Sequence, residues 1–218
     1  MGGHVRAPKG KPVAVSIDPQ VAARLAYYQV RPDFGVLAPR GWYCIDIYGS
    51  NGATLFVAPH PLRTSEISPL YEHRFAGPVI QVDFVNGNFS SRFDVAHLAA
   101  RYFPEQRALV QNAIAEERED GYSSTPYVSG PYPADVLVTR RKGIVEYITP
   151  PHSEGLGTRC CLKPDGDPIH SAAILMPRDT TSPDATSVMV VAARLPKDLA
   201  DLIPPILQQA ERHYAGAK

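Results

Sequence analysis

No apolar run in this chain approaches the roughly 20 residues that a membrane-spanning helix requires, so no membrane span is expected. Charge of one sign is also missing. Lys and Arg number 22, Asp and Glu number 22, and neither sign dominates a long segment. That balance lacks the basic footprint of a duplex-binding protein, and nucleic acid is not an expected partner. Cysteine is scarce: Cys44, Cys160 and Cys161 are too few for a disulfide framework. If Cys160 and Cys161 lie on a strand, as expected below, they point to opposite faces and should not bond each other. Met1–Lys11 has no apolar core and so shows no signal peptide, although its Met-Gly-Gly-His opening is compatible with a chain exported after leader removal. The compartment stays open.

Proline is plentiful instead, at 22 residues, against an average near 5%. Short elements joined by stiff loops follow from that. With 44% apolar and 20% charged residues, most of the 218-residue chain should be globular. Residues 1–12 carry His4, Arg6, Lys9 and Lys11 and are expected to be a flexible basic arm, followed by a single α+β domain over 13–218.

The C-terminal third carries the strongest pattern. After Leu195-Pro196, apolar residues at Leu199, Leu202, Ile203, Ile206, Leu207, Ala210 and Tyr214 fall on one helical stripe. Pro204-Pro205 should kink or restart that helix without changing its phase. Before it, Val136–Arg140 and Ile144–Thr149 flank a glycine-containing hairpin turn. A second pair, Thr158–Leu162 and Ile169–Met176, is expected around Asp165-Gly166. Ser187–Leu195 and Ala172–Met176 are apolar without alternation, which predicts central strands covered on both faces.

In the N-terminal half, Val13–Ile17 reads as a short edge strand. Asp18-Pro19 opens a helix expected to reach about Tyr28. Trp42–Tyr48 and Ala53–Ala58 flank Gly49-Ser50-Asn51-Gly52, a hairpin, and Val79–Val85 alternates as a strand. His60–Ala76 reads as a long loop. Ser91 and Asp94 suggest a capping box for a helix to Phe103, with Val95, Leu98, Ala99 and Tyr102 inward. A second helix should start at Pro104 and stop near Gly121, its acidic end solvated and frayed. Gly121–Pro133 then leads back to the sheet.

Phe34–Ala38, then Pro39-Arg40-Gly41-Trp42, then a hairpin, resembles the opening of PsbP-like domains. The closing strand and helix at Ser187–Tyr214 resemble their ending. The resemblance covers about a third of the chain and implies an antiparallel sheet between helical layers. It also implies a binding or assembly factor in place of a catalyst, and it assigns no functional residue.

The chemical signals are few. His152-x-Glu154 ahead of Cys160-Cys161 has the residue types of a zinc deaminase, but adjacent cysteines do not match ligand spacing, so no metal is expected. Gly155-Leu156-Gly157 lacks the following helix of a phosphate cradle and reads as a flexible loop between strands, and no cofactor is expected. His152 and Glu154 remain candidates for proton transfer, beside Arg159 in the same loop. On the sheet, if Ile45, Ile47, Ile80, Val82 and Phe84 face the core, then Trp42, Cys44, Asp46, Tyr48, Gln81 and Asp83 line the opposite, solvated face. Trp42, Asp46, Asp83 and Arg159 are thus the expected ligand-binding residues.

The expected architecture is a mainly antiparallel sheet with helices packed on it, an α/β/α sandwich. The expected function is a non-catalytic binding or assembly module for a protein or small-molecule ligand. The alternative is a hydrolase or transferase working through His152 and Glu154.

Overall fold

Glycine turns and unbroken apolar runs assemble a seven-stranded, wholly antiparallel sheet. The computed structural model describes residues 17–63, 74–88, 90–119, 126–176 and 186–215. The expected arm at 1–12, and all but the last residue of the expected strand at 13–17, lie outside them. Strands β3 (Tyr43–Gly49), β4 (Gly52–Ala58), β5 (Val79–Val85), β6 (Val136–Arg141), β7 (Ile144–Thr149), β8 (Ile169–Met176) and β9 (Ser187–Arg194) lie in the order β3-β4-β5-β9-β8-β7-β6. The two unbroken apolar strands, β8 and β9, are central, as a strand buried on both faces must be.

A separate hairpin precedes the sheet. Helix α1 (Pro19–Arg24) starts where expected, with Asp18 Oδ1 accepting from the Gln20 and Val21 amides at 2.8 and 3.3 Å. It stops at Arg24 instead of reaching Tyr28. Leu25–Arg31 becomes β1 and pairs antiparallel with β2 (Phe34–Pro39). Tyr27, Tyr28 and Val30 suit a strand, and Asp33 takes the left-handed turn conformation (φ 61°) that reverses the chain.

One face of the sheet packs its Leu55, Val57, Ile80, Val82, Ala172, Met189 and Val191 against this hairpin and the C-terminal helix α4 (Ile203–Ala215). The proline pair restarts the helix as expected: a 3-10 turn over Lys197–Leu202 ends where α4 begins, with Pro204 and Pro205 in its first turn, where their missing amides cost nothing. Leu202, Ile203, Ile206, Leu207, Ala210 and Tyr214 are buried. Tyr214 fixes the helix to β2, donating to the Gly35 carbonyl at 2.7 Å and accepting from its amide at 3.1 Å.

Helices α2 (Ser91–Tyr102) and α3 (Arg107–Glu119) lie on the other face. Val95, Leu98 and Tyr102 pack on Val85, Val145, Tyr147, Ala173, Val188 and Val190. The expected capping box does not form, because the Ser91 hydroxyl donates backward to the Asn88 carbonyl. At the end of α3, Glu117 is buried while Glu116 pairs with Arg92 at 2.6 Å, so this acidic end is partly packed, not wholly solvated.

The expected strand over Thr158–Leu162 is absent. A 3-10 turn covers Leu156–Thr158, and only Leu162 makes an isolated bridge, to Phe75. Cys160 and Cys161 therefore follow a turn, where neighbouring side chains need not diverge, and they are disulfide-bonded to each other, contrary to expectation.

Candidate functional site

The loop leaving β7 holds most of the chemically interesting residues, and it is clamped from below. Asp135 is the hub. Its carboxylate accepts from Thr149 Oγ1 at 2.7 Å, from the Leu156 amide at 3.0 Å and from Tyr102 Oη at 3.1 Å. Burial first, and then the Asp135 charge, push the Tyr102 phenol far above its usual range, so it remains a donor. Gly157 donates its amide to Thr149 Oγ1 at 3.1 Å, and Gly155 donates to Thr158 Oγ1 at 2.9 Å. The two glycines serve packing. A Cβ at Gly155 would lie 2.1 Å from Asp135 Oδ1, and one at Gly157 would lie 2.5 Å from Ile169 Cγ2. Leu156, Gly157 and Thr158 are buried, so the expected flexible loop is a packed turn.

Beyond it the chain is tied to the β4–β5 connection. Phe75 donates its amide to Cys161 O at 2.6 Å and accepts from the Lys163 amide at 2.9 Å. Arg194, the last residue of β9, is only 1% exposed. Its guanidinium donates to the carbonyls of Gly77, Lys163, Asp165 and Phe75 at 2.7, 2.8, 2.9 and 2.9 Å. One buried cation thus pins two loops that are about 90 residues apart in sequence (Phe75 to Lys163 and Asp165).

Within this frame the expected site residues separate. His152 is exposed, in a left-handed turn (φ 59°), and makes no hydrogen bond to Glu154. Glu154 accepts from Arg74 Nη1 and from Thr158 Oγ1, both at 2.8 Å. Arg159 and Asp83 do meet, in an ion pair between Arg159 Nη2 and Asp83 Oδ2, and Thr54 Oγ1 donates to Asp83 Oδ1 at 2.9 Å.

Asp46 is on the other side of the sheet. Ile45 pairs with Phe56 and Phe56 with Gln81, while Ile47 pairs with Thr54 and Thr54 with Asp83. Paired residues share a face, so Ile45 and Ile47 lie with Gln81 and Asp83, and Asp46 lies with Leu55 and Val82. The expected common surface of Trp42, Asp46, Gln81 and Asp83 therefore does not exist. Nor are Gln81 and Asp83 on a solvated face, since both are buried. Alternation within each strand was legible; the relative phase depended on register through β4.

On the face that carries α4, Asp46 binds Arg31 at 2.7 Å, and that guanidinium lies 4.4 Å from the centre of the Tyr48 ring. Trp42 is half-buried against the same core and donates its amide to Tyr28 Oη at 2.8 Å. Among the described residues, two cavities that lie elsewhere can be named. One of about 570 Å³ lies among Gly87, Arg92, Leu109, Asn112, Glu116 and Thr186; the other, of about 220 Å³, lies between α1 and α4. Neither is lined by Trp42, Asp46, Asp83, His152, Glu154 or Arg159.

Strand β3, which carries Asp46, forms one outer edge of the sheet. It pairs with β4 without a bulge over seven residues and contains neither proline nor lysine. Tyr43 is 50% and Tyr48 72% exposed, and the free thiol of Cys44 lies exposed between them. Partial burial, and then Asp46, raise that thiol above its ordinary value. The opposite edge, β6, also exposes Val136, Leu137 and Val138. It is, however, bulged between Leu137 and Thr139, and its end carries Arg140 and Arg141. Bulges and positive charge protect an edge against added strands, and β3 has neither device.

Sequence reasoning gave no role to Asp135, Arg194 or Thr149, and it placed Tyr102 inward, as found, without its bond to Asp135. A usable signal existed for Arg194 alone: a charged residue ending an unbroken apolar central strand must find partners. Comparison with protein families, characterised proteins and solved structures finds no match for this chain.

Proposed function

We propose that this protein is a non-catalytic binding or assembly module that engages a protein partner along strand β3. The observation that carries this reading is the edge itself: among the described residues β3 pairs on one side only, with β4, over seven regular residues that include the exposed Tyr43 and Tyr48. Tyrosine, tryptophan and arginine are the residues that dominate protein–protein contacts, and Trp42, Tyr43, Tyr48 and Arg31 gather at this edge. An unpaired strand supplies main-chain donors and acceptors, and alternate side chains supply selectivity. The resemblance to PsbP-like domains supports the same reading. The polar groups in and around the β7–β8 loop fit it too, because Glu154 of the loop, Asp83 of β5 and Asp135 before β6 each have structural partners.

The reading is tested by placing a photo-cross-linking residue at position 48, with position 105, exposed in the 3-10 turn before α3, as the control. Illumination of the full chain in its native cells should give a discrete protein adduct from position 48 and none from position 105. No adduct from position 48, or equal adducts from both, refutes the reading.

A further inference from the structure

We infer that the partner on β3 is a second copy of this chain, paired antiparallel about a two-fold axis at Ile45; this rests on the edge reading above and names its occupant. The first support is self-complementarity. A two-fold axis normal to the sheet joins two edges antiparallel and keeps each face on its own side, so even-numbered residues of β3 must oppose even-numbered ones. The Ser50-Asn51 turn makes Gly49 and Gly52 its closing pair. The odd-numbered residues therefore bond inward to β4, and Cys44, Asp46 and Tyr48 turn their main-chain groups outward.

Two registers use the middle of the strand. Centring on Asp46 sets that carboxylate directly opposite its symmetry mate, an unfavourable like-charge pair. Centring on Ile45 sets Ile45 against Ile45, Tyr43 against Ile47 and Cys44 against Asp46. Aromatic and β-branched cross-strand pairs of that kind are favourable, and no like charges meet. Asp46 keeps its Arg31 partner within each protomer. Charge offers no obstacle at long range either, because formal net charge is zero and two copies do not repel. The product is a continuous sheet of fourteen strands, twice the seven seen in one chain. It hides both β3 edges and leaves the bulged, arginine-bearing β6 strands at the ends.

The register gives a discriminating test. In the full chain carrying Cys44→Ser, the added substitution Ile45→Cys places two thiols opposite each other in a pair not joined by backbone hydrogen bonds. Its Cα separation of about 4.5 Å suits a disulfide. Mild oxidation should convert this variant to a reducible covalent dimer, with the mass doubled in sedimentation, while Ile47→Cys and Val138→Cys in the same background stay uncrosslinked. Ile45→Lys should abolish the dimer of the otherwise unmodified chain. If that variant does not fold, the cysteine series alone decides. A monomeric chain whose position-48 adduct contains a different protein overturns the self-pairing and leaves the edge reading standing. No position-48 adduct at all overturns both, whereas preferential cross-linking through Val138→Cys overturns the self-pairing through β3.

Discussion

Replacing Arg194 with methionine tests whether a single buried cation holds together the loop end of the sheet. Methionine keeps most of the side chain's length and apolar contact but removes every donor. Four main-chain carbonyls, at Phe75, Gly77, Lys163 and Asp165, then lose a charge-assisted partner. Each such bond nets about 1.5–3 kcal/mol. Their sum is not recovered, because burial already disfavours the guanidinium charge and lowers its pKa, with Asp165 and Asp167 opposing that effect more weakly. Breaking one side of a buried polar assembly of this kind costs about 3–5 kcal/mol. For a domain whose whole stability is about 5–15 kcal/mol, that is severe. Urea denaturation should show the midpoint falling sharply with little change in slope. Hydrogen exchange should show the amides of Phe75 and Lys163 losing protection first. Asp165→Asn is the control. Its contact with Arg194 spans 3.4 Å and its side chain is 45% exposed, so its loss should cost less than about 1 kcal/mol. A cost below about 1 kcal/mol for Arg194→Met, or an equal cost for both variants, would refute the carbonyl-anchor account.

Two further outcomes follow from the structure. Glu146 has its carboxyl pKa raised, by burial and then by the neighbouring Glu211, so the folded chain holds that proton more tightly than the unfolded chain does. Its contribution to stability is complete below the ordinary carboxyl value and is lost as pH rises through the folded value; Glu146→Gln should therefore raise the thermal midpoint at pH 7, with the gain vanishing in acid, and an equal gain at both pH values would contradict this. In denaturant without reductant, a thiol reagent should titrate one group per chain, Cys44, and all three cysteines after reduction; three without reduction would exclude the Cys160–Cys161 bond.

Most of the layered fold was readable from local pattern. The unbroken apolar runs at Ala172–Met176 and Ser187–Leu195 pointed to central strands, and they occupy neighbouring central places. Gly49–Gly52 and Lys142-Gly143 marked their turns because those turns need glycine. Where the reading failed, a distant partner outweighed local preference. Val21, Ala22 and Leu25 fit a helical stripe, yet β1 begins at Leu25 because Phe34–Pro39 is there to pair with it. Cys160-Cys161-Leu162 has the composition of a strand. The clasp of Asp135 and Thr149 around Gly155 and Gly157 instead coils the preceding residues into a turn.

The candidate site was less legible for the same reason, made stronger by distance. Asp83 and Arg159 were both singled out, but their meeting depends on how a loop 76 residues further along crosses the sheet. Asp46 and Asp83 appeared equivalent because each alternates with aliphatic residues, and only the register through Leu55 and Thr54 puts them on opposite faces. This separation also bears on function. The expected polar groups are distributed over two faces and paired with Arg31, Arg159, Thr54 and Arg74, and apart from the Asp83–Arg159 pair the structure does not bring them together. The β3 edge differs in kind. The groups an edge strand offers are main-chain amides and carbonyls, which every residue carries and no composition reveals, so an edge can be a binding element without leaving a motif in the sequence. What the sequence can show is whether an edge is guarded. Strand β6 has its bulge and its arginines, whereas β3 presents tyrosines and one carboxylate already neutralised by Arg31.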